Sequence, residues 1–418
     1  MKQWTILAYL AGDNNLDSAG VEDMAEMAKV GSTPDVDVVV QFDRAGKKTI
    51  TARYHVSKGG GCVDKDRVMV LPETNTGDPQ VLIDFIAWGI QTYPAQHYLL
   101  VVWNHGSGWS EDNVYRHTTL TRRKLPQPTI LTHSPLRSAL FNTTIETMAG
   151  PGAGVGIAYD DANRDFLDNA ELKKCLQAAY AQTGGRKVDV LGFDACLMNM
   201  IEVVYQLKDA VAITVGSEET EPGGGWPYDL ILDALAKKPS LTPVQLGQTI
   251  VQKYYQSYLN TAQDVTQSAL NLARIDGLAE AVDRLADALL ANLTTTGVRE
   301  TIRRAQRDCQ RFYYPDYLDL YDLARLLRDY SAVPTIKTAA QGVMSALRAS
   351  ATKGVIVAQK HLGASVARAR GISIYFPRDA VSPFYKNLDY AAGHRWDEFL
   401  KAYHKTRLQP ERHKGRGL

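Results

Sequence analysis

Residues 98–109 read Tyr-Leu-Leu-Val-Val-Trp-Asn-His-Gly-Ser-Gly-Trp, and residues 188–198 read Val-Asp-Val-Leu-Gly-Phe-Asp-Ala-Cys-Leu-Met. In both stretches a short apolar run leads directly into polar residues, among them His105 in the first and Cys196 in the second. Such apolar runs are typical of strands in a parallel sheet whose two faces are both covered. In open α/β sheets, ligands bind beyond the carboxyl ends of the strands. The two stretches therefore predict an α/β protein with candidate functional residues where its strands end.

The same pattern recurs along the first half of the chain. Residues 50–56 differ, because apolar and polar residues alternate there, which predicts an antiparallel strand with one exposed face. Asp168 and Glu171 have the spacing of a capping box. Alternating strands and helices predict a mostly parallel sheet with helices on both faces. The further apolar runs are residues 4–10, 36–42, 155–159 and 211–215, and the helical patterns cover about 16–29, 78–92, 169–184 and 197–208.

The sequence divides into regions of different character. Residues 1–240 carry the alternating pattern, interrupted at about 109–153 by a long insertion rich in Thr, Pro and Ser. Residues 241–406 have mostly helical patterns, with a late strand at 371–376 as a candidate to rejoin the sheet. Residues 407–418 form a basic tail. We therefore expect an α/β catalytic core at residues 1–240, followed by a largely helical C-terminal region.

Composition excludes several classes of protein. Of 418 residues, 47 are Lys or Arg and 46 are Asp or Glu, and this balance argues against a nucleic-acid or membrane-surface binder. The 4 cysteines form no C-x-x-C pair, which excludes a zinc ribbon and a disulfide-rich scaffold. No apolar run is long enough for a transmembrane helix. The N-terminus lacks a secretory signal, so we expect a cytoplasmic protein, or a secreted one if a signal has been removed.

Cys196 and His105 are the candidate reactive pair. If their strands are neighbours, the thiol and the imidazole face each other, and the imidazole can assist the thiolate and protonate a leaving amine. The helical pattern after Cys196 predicts a helix N-terminus that lowers the thiol pKa. Backbone N–H groups of Gly106 and Cys196 could hold an oxyanion, at about 3–4 kcal/mol per donor. From the residues alone, a purely structural role is an equally open alternative, because Cys196 can be a small buried hydrophobe and His105 a turn residue.

The motifs Asn104-His-Gly-Ser-Gly-Trp109 and Gly192-Phe-Asp-Ala-Cys-Leu-Met198 resemble the two active-site motifs of the clostripain family of cysteine peptidases. The resemblance extends over nearly the whole chain. It implies the three-layer α/β/α caspase-like fold that this family shares with caspases, gingipains and legumain. The additional matching stretches are residues 7–16, 157–161, 216–228, Asp319-Leu320 and 371–377.

The resemblance implies a role for each motif residue. Cys196 matches the nucleophile, His105 the general acid/base, and Gly106 with the Cys196 backbone the oxyanion donors. Clostripain-like enzymes cleave after Arg, and in some members after Lys, and Asp194 matches the acidic residue of their S1 pocket. A carboxylate can bind a guanidinium through two hydrogen bonds and an ammonium as a point charge. The alternative for Asp194 is a turn-forming residue at a strand end.

Two other acidic stretches are weaker candidates. Glu218 and Glu219, in the loop after the next strand, either line the S1 pocket and attract cationic substrates or form a solvated acidic loop. Asp161, Asn163 and Asp165 match the opening of an EF-hand loop, but Phe166 replaces the turn glycine and Leu172 the final Glu, so an EF-hand is rejected. A looser Ca²⁺ site, made from these residues or from Asp13 and Asp17, is kept as an expectation because some family members depend on calcium. The chemistry itself requires no cofactor.

The insertion carries the candidate processing sites. Members of the family are typically made as zymogens and cut between the His and Cys motifs, where this chain has Arg122, Arg123, Lys124 and Arg137. A basic loop next to an acidic pocket would act as a pseudo-substrate at high effective concentration. Cleavage could be autocatalytic or made by an upstream activating protease. The alternative is a tolerated surface insertion.

The leading hypothesis is a cysteine endopeptidase that acts on proteins or peptides with Arg or Lys at P1, without nucleic-acid or membrane partners. Catalysis proceeds through a thioester on Cys196. A second hypothesis is a caspase-like scaffold or effector that acts mainly by protein binding, with weak or no proteolysis. A third is a thiol amidase for small substrates.

Overall fold

The computed structural model describes residues 1–46, 50–109, 156–348 and 353–407. In this part of the chain the strands belong to one large sheet and two small ones. In chain order they are β1 Lys2–Gly12, β2 Val36–Arg44, β3 Ala52–His55, β4 Arg67–Val70, β5 Ala95–Trp103, β6 Ile157–Asp160, β7 Asp165–Leu167, β8 Val188–Asp194, β9 Val211–Gly216, β10 Val265–Asn271, β11 Tyr317–Asp319, β12 Ile356–Leu362 and β13 Ser373–Tyr375.

The large sheet has nine strands in the order β12-β10-β9-β8-β5-β1-β2-β3-β4. Its five central strands, from β9 to β2, are parallel to one another. The two strands at each edge pair antiparallel, including β3, which comes from the segment predicted to be antiparallel. The predicted mostly parallel sheet is therefore confirmed.

Helices cover both faces of this sheet. They are α1 Asp17–Val30, α2 Pro79–Thr92, α3 Asn169–Gln182, α4 Ile201–Tyr205, α5 Tyr228–Lys237, α6 Pro243–Tyr258, α7 Ile275–Asn292, α8 Val298–Asp308, α9 Leu320–Tyr330, α10 Pro334–Leu347, α11 Asp389–Gly393 and α12 Trp396–Arg407. Two short 3₁₀ segments, Leu272–Arg274 and Tyr385–Asn387, complete the described helical elements.

Alternating side chains of β1 show how the layers are built. Leu7 and Tyr9 pack into one core with α2, α3 and the helices that follow β10. Ile6 and Leu10 pack into a second core with α1, α5 and α6 on the opposite face. Because both faces are buried, the strand reads as a nearly continuous apolar run. This arrangement is the three-layer α/β/α fold that the sequence predicts.

Local sequence signals explain where the helices begin. The Asp168 carboxylate accepts the Glu171 N–H at 2.7 Å, and the Glu171 carboxylate accepts the Asp168 N–H at 3.1 Å, so the predicted capping box opens α3. Asp78 accepts the Gln80 N–H and Pro79 occupies the first turn of α2. Both helices therefore start at the positions that the sequence predicts.

Two predicted strands do not join the large sheet. The run at 155–159 contributes β6, which pairs antiparallel with β7, and its residue Ala158 has a left-handed φ of 60° that interrupts regular pairing. The late strand at 371–376 contributes β13, which pairs antiparallel with β11. The large sheet instead takes β10 and β12 from the region after residue 240. β10 was missed because Val-Thr-Gln-Ser-Ala-Leu-Asn has no continuous apolar run.

The helix predicted at 197–208 is also wrong in extent. Leu197 has a φ of 64°, and a residue in the left-handed region cannot begin a right-handed helix. Only the five residues of α4 are helical there.

Most of the insertion at 109–153 and the tail from 408 onward lie outside the described residues. Within the described ranges, no helix combines the length and apolar composition needed to cross a membrane.

Candidate active site

The pairing of β5 with β8 brings the two motifs together. Trp103 pairs with Asp194 at the ends of the two strands, and the Asn104 N–H donates to the Asp194 carbonyl oxygen at 3.3 Å. A Cβ atom on Gly106 would lie 2.5 Å from the Cys196 carbonyl oxygen. The backbones of the His motif and the Cys motif are therefore in direct contact, and only glycine fits at position 106.

Asn104 fixes the backbone that carries His105. Its side-chain amide donates to the carbonyl oxygen of Ala11 at the end of β1, and its Oδ1 accepts the Tyr159 N–H of β6 at 3.0 Å. One side chain thus links three strands behind His105. This explains why a polar residue follows the apolar run of β5 directly.

His105 is held by a residue that the sequence analysis did not single out. Its Nε2 lies 2.7 Å from Oδ1 of Asn15, in the turn after β1. Because an amide oxygen only accepts hydrogen bonds, Nε2 carries the proton and Nδ1 holds the lone pair. Burial lowers the pKa of His105 to about 3, so the ring is neutral at neutral pH. The available signal was Asp13-Asn14-Asn15, a polar run at the end of the first strand.

Cys196 is 2% exposed and its Sγ accepts the N–H of Glu221 at 2.9 Å. Burial raises the thiol pKa well above its usual value, and the nearby carboxylates of Glu221, Glu219 and Asp194 raise it further. The expected lowering by a helix N-terminus is wrong, because the left-handed Leu197 separates Cys196 from α4. The thiol is therefore protonated at neutral pH in this structure.

Asp194 ends β8 and is 5% exposed. Its Oδ2 accepts the Tyr228 hydroxyl at 2.7 Å and the Trp226 N–H at 3.3 Å. Its carboxyl group also interacts with the carboxyl group of Glu221, the third glutamate of loop 217–221. Burial raises the pKa of Asp194 to about 6. A left-handed glycine, Gly225 with a φ of 53°, allows the backbone to pass close to this carboxylate.

Glu218 connects the loop 217–221 to the C-terminal region. Its Oε2 accepts the Gly371 N–H at 2.7 Å, and its carboxyl group lies close enough to that of Asp319 for each to affect the pKa of the other. Asp319 also accepts the N–H groups of Asp322 and Arg370, at 2.6 and 2.5 Å. Burial raises the pKa of Asp319 to about 7 and that of Glu218 well above its usual value. Glu218 is thus engaged with Asp319 and Gly371 rather than with Asp194.

The Glu219 carboxylate also accepts hydrogen bonds from backbone N–H groups of the protein. Its Oε1 accepts the N–H groups of Thr220 at 2.7 Å and Tyr313 at 3.1 Å. Burial raises its pKa. The outer side of the loop borders a cavity of about 170 Å³ lined by Glu219, Thr220, Glu221, Pro222, Gln263, Asp264 and Ser365.

The residues considered for calcium do not converge. Asp161 and Asn163 are exposed in the turn between β6 and β7. The Asn163 amide donates to the neighbouring carboxylate of Asp160, and Asp165 accepts from Asn75. Across the residues that the structure describes, no group of three or more His, Cys, Asp or Glu side chains is arranged to hold a metal ion. Asp13 and Asp17 belong to no such group either, and Asp17 is paired with Arg44.

The four candidate processing residues, Arg122, Arg123, Lys124 and Arg137, lie outside the described residues. The described part of the site consists of the dyad candidates Cys196 and His105, of Gly106 against the Cys196 carbonyl oxygen, and of Asp194 at the end of β8. Chemically, it offers a thiol, an imidazole and a buried carboxyl pair where parallel strands end.

Comparison with known proteins identifies the family. The model of the clostripain family matches residues 8–147 and 153–403. The chain belongs to the clostripain family. Clostripain from Hathewaya histolytica is 25% identical over an alignment of 380 positions, and the match covers 76% of this chain and 64% of clostripain, which is less than two thirds of that relative. The predicted family is confirmed.

Solved structures of similar proteins agree with the described fold. One is a secreted C11 cysteine protease from Bacteroides thetaiotaomicron bound to an irreversible peptide inhibitor, with a TM-score of 0.62, 19% identity, and coverage of 94% of this chain and 99% of that chain. Another is an inactive zymogen C11 protease from Parabacteroides distasonis, with a TM-score of 0.60, 17% identity, and coverage of 94% and 98%. The predicted caspase-like fold is confirmed. The expected cytoplasmic location has no support from these relatives.

The Glu218–Asp319 pair generates a prediction for stability. Both folded-state pKa values are raised, so the folded protein keeps protons that the unfolded chain loses above about pH 4. The stabilising contribution is complete below that pH and falls as the pH rises towards 7 and beyond. We expect the unfolding temperature of Asp319→Asn and of Glu218→Gln to fall less steeply from pH 5 to 8 than that of the wild type. Each titrating group accounts for at most about 1.4 kcal/mol per pH unit.

Thermal unfolding followed by circular dichroism at several pH values measures this difference. Asp329→Asn, which changes a surface carboxylate of α9, is the matched control and should keep the wild-type pH dependence. Parallel curves for wild type and both pair variants would contradict the raised pKa values of Glu218 and Asp319.

Proposed function

We propose that the protein is a cysteine endopeptidase that cleaves after Arg or Lys, with Cys196 as nucleophile and His105 as general acid/base. The observation that carries this proposal is the contact between two strand ends, with Gly106 against the Cys196 carbonyl oxygen and Asp194 two residues before the cysteine. Membership of the clostripain family supports the reaction class. Clostripain itself is 25% identical to this chain.

The proposed reaction has two steps. In acylation, the Cys196 thiol transfers its proton to His105 Nδ1 and Sγ attacks the carbonyl carbon of the scissile peptide bond. Backbone N–H groups of Gly106 and Cys196 stabilise the oxyanion, and the imidazolium gives its proton to the leaving amine. In deacylation, water attacks the thioester, His105 accepts its proton, and the acid product leaves with the thiol restored.

The pocket chemistry supports a basic P1 residue. Asp194 combines a buried carboxylate with a position two residues before the nucleophile. In surroundings of low polarity, a charge-assisted hydrogen bond to a guanidinium or an ammonium is stronger than in water. Two glutamates of loop 217–221, Glu219 and Glu221, lie close enough to Cys196 to act on its thiol electrostatically, so the surroundings of the nucleophile are acidic.

A closed precursor also belongs to the proposal. Cys196 and His105 are 2% and 3% exposed, so a peptide can reach them only after a rearrangement. We propose that the segment between the two motifs restrains the precursor and that cleavage after Arg122, Arg123, Lys124 or Arg137 releases activity. The similar protease from Parabacteroides distasonis was solved as an inactive zymogen.

The first test is a peptide-library cleavage profile with and without Ca²⁺. We expect wild type to cleave after Arg or Lys, and Asp194→Asn to lose at least about thirtyfold in kcat/KM for these substrates, since removing one partner of a buried charge pair costs about 2–5 kcal/mol. Asp189→Asn makes the same chemical change at the other end of β8, where Asp189 binds His97, and should retain wild-type specificity. Wild-type rates with Asp194→Asn on Arg peptides would refute the P1 assignment.

Asn15 generates a second prediction, because it fixes the ring of His105. Asn15→Ala should lower kcat about tenfold or more with little change in KM. Asn15→Asp keeps an acceptor for Nε2 and adds a negative charge, so it should restore part of kcat and move the acidic limb of the kcat/KM profile to higher pH. A residue with only a structural role would not move this limb. Unchanged kcat and an unchanged pH profile in both variants would contradict the role.

Processing is tested by determining the chain termini of purified wild type and Cys196→Ala by mass spectrometry. Autocatalytic activation predicts that wild type is cut after one of the four basic residues and that Cys196→Ala remains intact. Cuts in both would indicate a separate activating protease. If both are intact and wild type is fully active, the zymogen proposal is wrong.

One observation favours the alternative of a caspase-like binding protein with weak or no proteolysis. The buried thiol and imidazole are both uncharged at neutral pH. Incubation with a peptidyl electrophile that carries Arg at P1 separates the two functions. A peptidase is labelled on Cys196, whereas a binding protein that lacks an active site is not.

A further inference from the structure

A short segment of the C-terminal region joins the two loops that carry the proposed dyad. Residues 312–317, Phe-Tyr-Tyr-Pro-Asp-Tyr, lie between α8 and β11 and include the first residue of β11; we call them the strap. The strap closes on itself, because the Phe312 N–H donates to the Tyr317 carbonyl oxygen at 3.2 Å and the Tyr317 N–H donates to that of Tyr314 at 2.9 Å. It is therefore a compact turn and not an extended linker.

One end of the strap is bonded to the loop that carries His105. The Tyr317 hydroxyl donates to the Ser107 carbonyl oxygen at 3.0 Å. A Cβ atom on Gly108 would lie 2.8 Å from the Tyr317 ring, so a glycine at this position permits the close contact. A buried tyrosine of the C-terminal region thus holds the backbone two residues after His105.

The other end of the strap is bonded to loop 217–221, next to Cys196. The Tyr313 N–H donates to Glu219 Oε1 at 3.1 Å. The Glu219 carbonyl oxygen accepts the N–H of Leu197, the residue after Cys196, at 3.2 Å. The same loop reaches the sulfur through the Glu221 N–H. The strap therefore connects the loop of the proposed general acid/base with the loop that contacts the proposed nucleophile.

Tyr314 belongs to the strap between its two bonded residues. Its ring centroid lies 5.2 Å from that of Tyr317. Its hydroxyl is close enough to Cys196 and Tyr159 to interact electrostatically with both. The Tyr159 ring in turn meets the His105 ring edge-on, with centroids 6.4 Å apart. The phenol of Tyr314 therefore contributes to the cover under which Cys196 and His105 are buried.

We propose that the strap is an autoinhibitory segment, which occupies the space between the His105 loop and loop 217–221 through which a peptide must reach Cys196. The proposal rests on the proposed function for the role of Cys196 as nucleophile. It assigns part of the closure to the C-terminal region, in addition to the segment between the two motifs. The strap and a peptide substrate compete for the same space, so the substrate enters only when the strap moves away.

The strap can move while the large sheet stays intact. β11 pairs with β13 over three residues, and these two strands form a small sheet of their own. Pro315, in the turn of the strap, is exposed to solvent. Local opening of this kind requires far less free energy than global unfolding, because the parallel pairing of β5 with β8 is not broken.

The test is the rate at which iodoacetamide, a small neutral reagent, alkylates Cys196 in the full chain, measured by mass spectrometry of peptides. Tyr317→Phe removes the hydroxyl that binds Ser107 and adds no charge near the thiol. Because one hydrogen bond is lost, we expect Cys196 to react about three- to tenfold faster than in the parent protein. Tyr314→Ala removes the covering phenol and should accelerate the reaction at least as much. To prevent cleavage at the proposed processing sites, every protein carries alanine in place of Arg122, Arg123, Lys124 and Arg137.

Two controls separate movement of the strap from general loosening. Cys175 is buried in α3, where its thiol donates to the Pro79 carbonyl oxygen, so its alkylation rate reports opening of the fold and should stay unchanged. Tyr375→Phe is the matched variant, because Tyr375 pairs with Tyr317 across β13 and β11 and its hydroxyl accepts the Ser382 N–H at 3.3 Å. It should change the Cys196 rate less than twofold.

Each outcome decides for or against the strap. Faster alkylation of Cys196 alone supports it. Equal Cys196 rates in the parent, Tyr317→Phe and Tyr314→Ala overturn it, as does equal acceleration at Cys175 and Cys196. If Tyr314→Ala fails to fold, Tyr317→Phe decides, since it keeps the ring. A Cys196 rate in the parent as high as in the chain denatured in urea overturns the closed site without any variant. If Cys196 is exposed selectively but wild type cleaves no peptide, the strap stands and the proposed function fails.

Discussion

The parallel pairing of β5 with β8 is the constraint on which the site depends. It sets Trp103 opposite Asp194, and the chain leaves both strands with no space for a side chain at Gly106. Because backbone contacts fix this geometry, the relative position of His105 and Cys196 does not rely on flexible side chains. Two asparagines support this arrangement through hydrogen bonds around His105. Asn104 links β5 to β1 and β6, and Asn15 contacts the imidazole from the turn after β1.

Buried acidic side chains connect the region around His105 and Cys196 to the rest of the molecule. A carboxyl group removed from water is costly unless donors or a proton compensate it. The glutamates of loop 217–221 meet this requirement through different donors: Glu218 accepts the Gly371 N–H, Glu219 accepts N–H groups including that of Tyr313, and Glu221 accepts from the Gln267 amide. The loop that contacts the sulfur is thereby bonded to residues near β11 and β13. The C-terminal region thus supports the loop next to Cys196.

The sequence predicted features that depend on local pattern. Continuous apolar runs gave the parallel strands, and the spacing of Asp168 and Glu171 gave the start of α3. It could not predict β10, whose polar residues are paired on both sides within the sheet. It also misjudged the segment after Cys196, because an apolar stretch fits a helix unless the left-handed φ of Leu197 is known. Asn15 was missed because its contact with His105 joins segments that are distant in sequence, and an amide in a polar run gives no local sign of its partner.

The electrostatics of the site link recognition to reactivity. The carboxyl groups that raise the pKa of the Cys196 thiol include Asp194, the proposed P1 carboxylate. A substrate cation bound to Asp194 would offset its negative charge, and a smaller negative potential at the sulfur disfavours the thiolate less. Burial still raises the pKa of the thiol, so the thiol remains protonated until His105 accepts its proton. The proposed site therefore recognises the charge of the substrate while the thiol is still protonated, which agrees with a nucleophile surrounded by carboxylates.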